Sequence, residues 1–143
     1  LGEKGGVIHL IKLAVGVRDI PHLAAIQKAR AVGNPPLRHQ TRSTPKRAAE
    51  LIDGGSIYWV IGGLVQVRQL VRDVIEDRWD DDSKCAGLVL DPALLRVEAR
   101  PVKAFQGWRY LTPADAPADV TAAAAADGLP AEIRLALRKL SLL

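Results

Sequence analysis

The stretch Thr41-Arg42-Ser43-Thr44-Pro45-Lys46-Arg47 places three cations among hydroxyl side chains, just ahead of an apolar helical pattern. Thr44 suits a helix cap and Pro45 the first helical position, with Ala48, Leu51 and Ile52 turned inward. The free N–H groups and the macrodipole at such a helix start attract an anion. Cations beside them are unfavourable unless they serve something negative, which makes Arg42, Lys46 and Arg47 candidate phosphate contacts. The ordinary alternative is surface pairing with Glu50, Asp53 or the acidic stretch Asp73 to Asp82. Both readings stay open.

The aromatic residues form a second constellation. Three Trp, two Tyr and one Phe occur, and five of them fall in Tyr58-Trp59 and Phe105-Gln106-Gly107-Trp108-Arg109-Tyr110. Neighbours in a strand face opposite sides, so Tyr58 and Trp59 cannot share one core, whereas Trp108 and Tyr110 share a face. At least one ring is therefore expected near solvent, where Trp59, Trp108 or Tyr110 would stack on an unpaired base. Arg68, Arg72 and Arg109 would support it as further cations. The plainer alternative is that these rings fill the core of an aromatic-poor protein.

Other chemistry is largely excluded. The chain has no G-x-x-x-x-G-K-[ST] loop, no G-x-G-x-x-G turn, no G-x-S-x-G elbow and no H-E-x-x-H helix. His9, His22 and His39 fall on separate elements, so no metal site and no cofactor are expected, and each imidazole is read as satisfied or exposed. Cys85, in an apolar stretch, reads as a buried inert thiol. An enzyme would have to use Lys46 or Lys12 as base or charge stabiliser, partnered by Glu50, Asp53 or Glu98.

The elements that must position these groups follow from patterning. With 143 residues, 48% hydrophobic and 25% charged, the chain fits one domain spanning residues 1–143. One cysteine makes no internal disulfide, so a reduced, cytoplasmic setting is expected. No segment has the apolar length of a signal peptide or membrane span, so no membrane partner is expected. Residues 1–72 carry 11 Lys/Arg against 4 Asp/Glu and residues 73–143 carry 9 against 12, so the first half is the basic one. A basic half suits a phosphate-bearing partner or serves solubility alone.

Val7 to Val15 reads as a strand. A helix capped by Asp19 follows, with Pro21 in its first turn and Leu23, Ile26 and Ala29 inward. Ser56 to Ile61 is a strand and Gly62-Gly63 a hairpin turn. Residues 64–79 match both periods, and the preceding turn with four valines favours a long strand. Asp80-Asp81-Asp82-Ser83 would turn it into a return strand from Lys84 to Leu90. Further strands are expected over 94–102 and 105–111, a surface connection over 112–128 and an amphipathic helix over 130–142.

The set Ile11-Lys12-Leu13, Thr41-Arg42-x-x-Pro45-Lys46-Arg47, Gly54-Gly55-Ser56-x-Tyr58-Trp59-Val60-Ile61, Arg68-Gln69, Leu90-Asp91-Pro92 and Phe105-Gln106-Gly107-Trp108-Arg109-Tyr110-Leu111 resembles a mainly alphaproteobacterial domain-of-unknown-function family, number 1489. The resemblance covers nearly the whole chain and implies no activity. A more distant likeness is to the ASCH and PUA β-barrels, in which a helix ends in glycine and leads into a strand, as Pro45–Gly55 leads into Ser56–Ile61. Those domains often bind RNA or modified bases in a cleft, and a few hydrolyse modified nucleosides. Where ASCH domains carry Gly-x-Lys-Thr, this chain has Gly55-Ser56-Ile57-Tyr58, so no catalytic residue transfers.

The expectation is an α+β fold: five or six mostly antiparallel strands curled into a small PUA/ASCH-like β-barrel, with helices packed at its ends, in preference to parallel βαβ winding. Three functions stay open. The first is a module binding RNA or a nucleotide through Arg42, Lys46, Arg47, Arg68, Arg72 and Arg109, with the rings as platforms. The second is a small hydrolase acting on a nucleoside-like or phosphorylated compound. The third is a protein-interaction module or homo-oligomer using an aromatic patch or the terminal Leu-rich helix.

Overall fold

The computed structural model describes residues 6–120. From Ser56 to Leu90 the chain is a meander. Strand β3 (Ser56–Ile61) turns at Gly62-Gly63 into β4 (Leu64–Arg78), and β4 turns at Asp80 to Ser83 into β5 (Lys84–Leu90). Both turn glycines have positive φ, 62° and 80°, the combination a two-residue primed hairpin needs and side chains resist. That turn settles the period of residues 64–79, because it delivers them antiparallel to a buried strand. β4 is 15 residues long and is the spine of the sheet. Its first half pairs with β3 on one edge and with β6 (Leu95–Pro101) on the other, and its second half pairs with β5.

The amino-terminal part departs from the expected antiparallel pattern. β1 (His9–Leu13) lies parallel to β3, with Lys12 opposite Trp59. The crossover between them holds helix α1 (Ile20–Gly33), strand β2 (Arg38–Thr41) and helix α2 (Ala48–Ile52). A parallel connection needs a dozen or more residues, and this one has them. β7 (Trp108–Leu111) then pairs antiparallel with the free edge of β1. The sheet order is β2-β5-β4-β3-β1-β7, with β6 beside β4, making seven strands.

The sheet curls into a half-barrel whose end strands, β2 and β7, share no ladder. Side chains bridge the gap instead: Trp108 Nε1 donates to Thr41 Oγ1 at 3.1 Å, and the Arg47 amide donates to the Tyr110 hydroxyl at 3.0 Å. Inside the curl, Leu10, Ile57, Trp59, Ile61 and Leu88 pack with Leu23 of α1 and Leu51 of α2. The outer face is covered as well. There Ile11, Tyr58, Val60, Val65 and Val97 form a second cluster under Phe105 and Ala116.

That second cluster corrects the expectation for Tyr58 and Trp59. They do face opposite sides, yet each is 4% exposed, because the sheet is buried on both faces. Ala29 of α1 and Ile52 of α2, expected inward, are exposed; Gln27 takes the inner position on α1. Thr44 and Pro45 do not start α2 either. The cap is Arg47, whose side chain makes no capping hydrogen bond, and the helix has only five residues. The surface connection is described only to residue 120, and the helix expected over 130–142 lies outside the described residues.

Gly55 fixes where α2 meets β3. A Cβ at that position would lie 2.1 Å from the Ile8 carbonyl oxygen and 2.5 Å from that of Leu51. Both are backbone atoms that cannot step aside. Gly55→Ala is therefore expected to cost more than about 3 kcal/mol in urea unfolding, or to abolish folding. Gly33→Ala, with nothing within 4 Å, serves as the tolerated control. Equal stability for Gly55→Ala and the wild type would contradict this packing.

Candidate functional site

The register places three residues side by side on the inner face: Trp108 of β7, Lys12 of β1 and Trp59 of β3. Below them, Gln27 of α1 and Gln69 of β4 exchange reciprocal amide hydrogen bonds of 2.9 and 2.7 Å. Gln69 is fully buried and also takes the Trp59 indole N–H at 3.1 Å on its Oε1, while its Nε2 donates to the Asp91 carbonyl at 2.8 Å. Both amide ends are therefore satisfied, which a buried polar network needs if it is not to cost stability. The pair fixes α1 across the curl and holds the Trp59 ring in place.

Above this layer lies a cavity of about 230 Å³. Leu23 and Ile26 of α1, Leu37, Leu90 and Trp59 supply its apolar wall, and Lys12, Arg30, Arg38, Gln27 and His39 supply its polar groups. No carboxylate lines it. Among the described residues the Lys12 amine bonds only the Leu13 carbonyl, at 3.2 Å, and burial lowers its pKa from the usual lysine value. Arg30, in the last turn of α1, makes no side-chain hydrogen bond or ion pair among the described residues.

His39 faces inward from β2, edge-on to Trp59, with ring centres 5.4 Å apart. Its Nε2 is buried with no hydrogen-bond partner, the one such side-chain atom among the described residues. Burial, with Lys12 and Arg30 adding to it, pushes the imidazole down to about 4, so it is neutral at pH 7. His9 differs: its Nδ1 accepts the Ser56 amide at 2.9 Å, its ring meets Tyr58, and its role is structural. His39 thus departs from the expected satisfied or exposed histidine.

The residues expected to bind nucleic acid are dispersed. Trp59, Trp108 and Tyr110 pack on the inner side, and Trp108 and Tyr110 stack edge to face at 5.0 Å. Arg47 lies 5.5 Å from the centre of the Tyr110 ring, but its guanidinium is held by Glu50 through two 2.7 Å bonds. Arg42 and Lys46 are exposed and make no ion pair among the described residues. Tyr58 is buried on the outer face. Arg68 is bound to Asp119 and donates to Ser56 Oγ, Arg72 is bound to Asp91, and Arg109 covers Phe105 at 4.5 Å. Of the carboxylates suggested for an enzyme, Glu50, Asp53 and Glu98, none lines the Lys12 cavity.

Sequence reasoning missed Arg30, Gln27, Gln69 and His39 as neighbours of Lys12 and Trp59. Gln27 carried the one available signal, a polar residue four positions after Leu23 on the inward stripe of α1. Among the described residues, no His/Cys/Asp/Glu group could hold a metal, and no helix is long and apolar enough to cross a membrane. Cys85 is buried, and burial raises its thiol pKa.

Fold and site together define a strand-rich α+β protein with a cation-lined, carboxylate-free hollow in a curled sheet. The chain belongs to the family described as protein of unknown function (DUF1489), whose model matches residues 10–143. No curated protein and no solved structure matches it.

The depressed pKa of His39 makes folding stability depend on pH. The unfolded chain takes up this proton near pH 6.5 and the folded chain only near 4. The stability held by neutral His39 is therefore complete above pH 6.5 and is lost as pH falls towards 4. The unfolding free-energy difference between wild type and His39→Gln should shift by about 2–3 kcal/mol between pH 7.5 and 4.5, against the wild type at low pH. A difference independent of pH would contradict the burial of this imidazole.

Proposed function

We propose that this protein binds single-stranded nucleic acid, RNA in the first instance, by taking one unpaired base or terminal nucleotide into the cavity between α1 and the curled sheet. The observation that carries the reading is the partnerless His39 Nε2, in a hollow lined by Lys12, Arg30, Arg38 and the Trp59 indole and without a carboxylate. An uncompensated buried polar atom is costly, and a ligand's hydrogen bond would relieve it. A neutral imidazole offers one donor or acceptor to a base edge, whereas Lys12 and Arg30 suit a phosphate. At about 230 Å³ the space lies below the ~300–1,000 Å³ of drug-sized sites, which favours a single heterocycle over a large cofactor. The likeness of Pro45–Ile61 to the ASCH and PUA barrels agrees with this reading.

One observation favours the hydrolase alternative. Burial eases the Lys12 amine towards its neutral form, as a lysine base requires. With no carboxylate on the cavity wall to share the proton, binding remains the better account.

The test is fluorescence anisotropy with a labelled single-stranded RNA octamer over a range of salt. The wild type should bind with a steep salt dependence, about −0.7 in log K against log salt per phosphate neutralised. Lys12→Ala with Arg30→Ala should weaken binding and flatten that slope by about 1.4. Absence of binding at low salt, or an unchanged slope in the double variant, would sink the proposal.

A further inference from the structure

A second hollow, of about 350 Å³, adjoins the first on the far side of β2. His39, Arg30 and Arg38 line both, so these residues form the partition between them. Beyond the partition the wall is made by Asn34, Gln40 and Trp79, again without a carboxylate. Trp79 is the sixth aromatic residue of the chain and stands apart from the other five. It is 38% exposed, and its indole has neither a hydrogen-bond partner nor a ring partner among the described residues.

The backbone that carries it is nonetheless held. The Trp79 amide donates to the Ser83 carbonyl at 2.9 Å, and its own carbonyl accepts the Asp82 amide at 2.9 Å, so the β4–β5 turn holds its backbone. An exposed indole on a braced turn, beside a polar hollow, offers a flat apolar face at small ordering cost, which is what base stacking uses.

The two partition arginines differ in what they can offer. Arg38 is committed: it pairs with Asp77 and donates from Nη1 to the carbonyls of Asn34 and Pro36, both at 3.0 Å. Arg30 makes no such bonds among the described residues and borders both hollows. One free cation between two base-sized spaces suits the phosphate linking two nucleosides.

The acidic turn next to Trp79 limits how far a ligand can run. Asp81 accepts from Ser83, Asp82 lies 3.8 Å from Arg78, and Asp80 is exposed. None of the three lines the second hollow, but their charge would repel a phosphate carried past Trp79. The geometry points to a site for two consecutive nucleotides: one base in the Lys12 cavity, the linking phosphate on Arg30 and the second base stacked on Trp79. This rests on the nucleotide reading above and adds to it a length and a stacking residue.

Calorimetric titration of the full chain with adenosine 5′-monophosphate and with the 5′-phosphorylated dinucleotide pApA separates the two ideas. The wild type should bind pApA at least about tenfold more tightly than the mononucleotide, the yield of one stacked base. Trp79→Ala should erase that advantage and leave mononucleotide affinity within about twofold, while Trp79→Phe should restore most of it. If the mononucleotide binds but pApA binds no tighter, or if Trp79→Ala weakens both ligands equally, the two-nucleotide site is overturned and the single-nucleotide cavity stands. If neither ligand binds the wild type, both readings fall.

Discussion

The reciprocal amide pair between Gln27 and Gln69 is the contact on which the candidate site depends. Two neutral side chains, 42 residues apart in sequence, meet in a buried position and bond each other at both amide ends, while the Trp59 indole and the Asp91 carbonyl complete the bonding of Gln69. An apolar pair of similar volume would pack there and hold α1 equally well. It would not fix the helix rotation or orient the Trp59 indole, since apolar contact is non-directional. The directional cost of burying two amides thus yields a defined wall, with Arg30 one turn further along α1 and His39 edge-on to the clamped ring.

The curl itself comes from a different balance. β4 is too long for a single partner on each edge, so β5 and β6 divide one edge between them, and irregular registers near Val65 and near Arg72 mark where the ladder adjusts. β-bulges of this kind increase local twist, which carries β2 and β7 towards each other. The remaining seam is closed by Trp108–Thr41 and Tyr110–Arg47 contacts rather than by a backbone ladder. Two of the rings once considered as stacking platforms are thereby accounted for as closures. The first cavity lies on the same side of the sheet, against β1, β2 and α1.

Much of this architecture was legible in the chain. Asp19 and Pro21 opening α1, Gly62-Gly63 as a turn, the long strand from Leu64 and the return strand from Lys84 all follow from local rules, and the structure agrees with each. What could not be read was non-local. The parallel pairing of β1 with β3 depends on a 42-residue crossover folding back, and nothing in Val7 to Val15 specifies that partner. The outer cluster that buries Tyr58 is assembled from β1, β3, β4, β6 and the Phe105 connection. Local pattern also misled at Thr44-Pro45, which looks like a helix start. The chain instead buries Pro45 and delays α2 to Ala48, because Leu51 must reach the core just before Gly55 closes on Ile8. His39 read as ordinary because its significance lies in a missing partner, and that is a property of the assembled interior.

The proposed nucleotide site requires that a ligand supply the partner that His39 Nε2 lacks. Imidazole nitrogen resonances of the ¹⁵N-labelled protein, followed while adenosine 5′-monophosphate is added, test it directly. A saturable shift of His39 Nε2 with His9 and His22 unmoved is expected. An unchanged His39 signal at concentrations where the nucleotide is bound would contradict it.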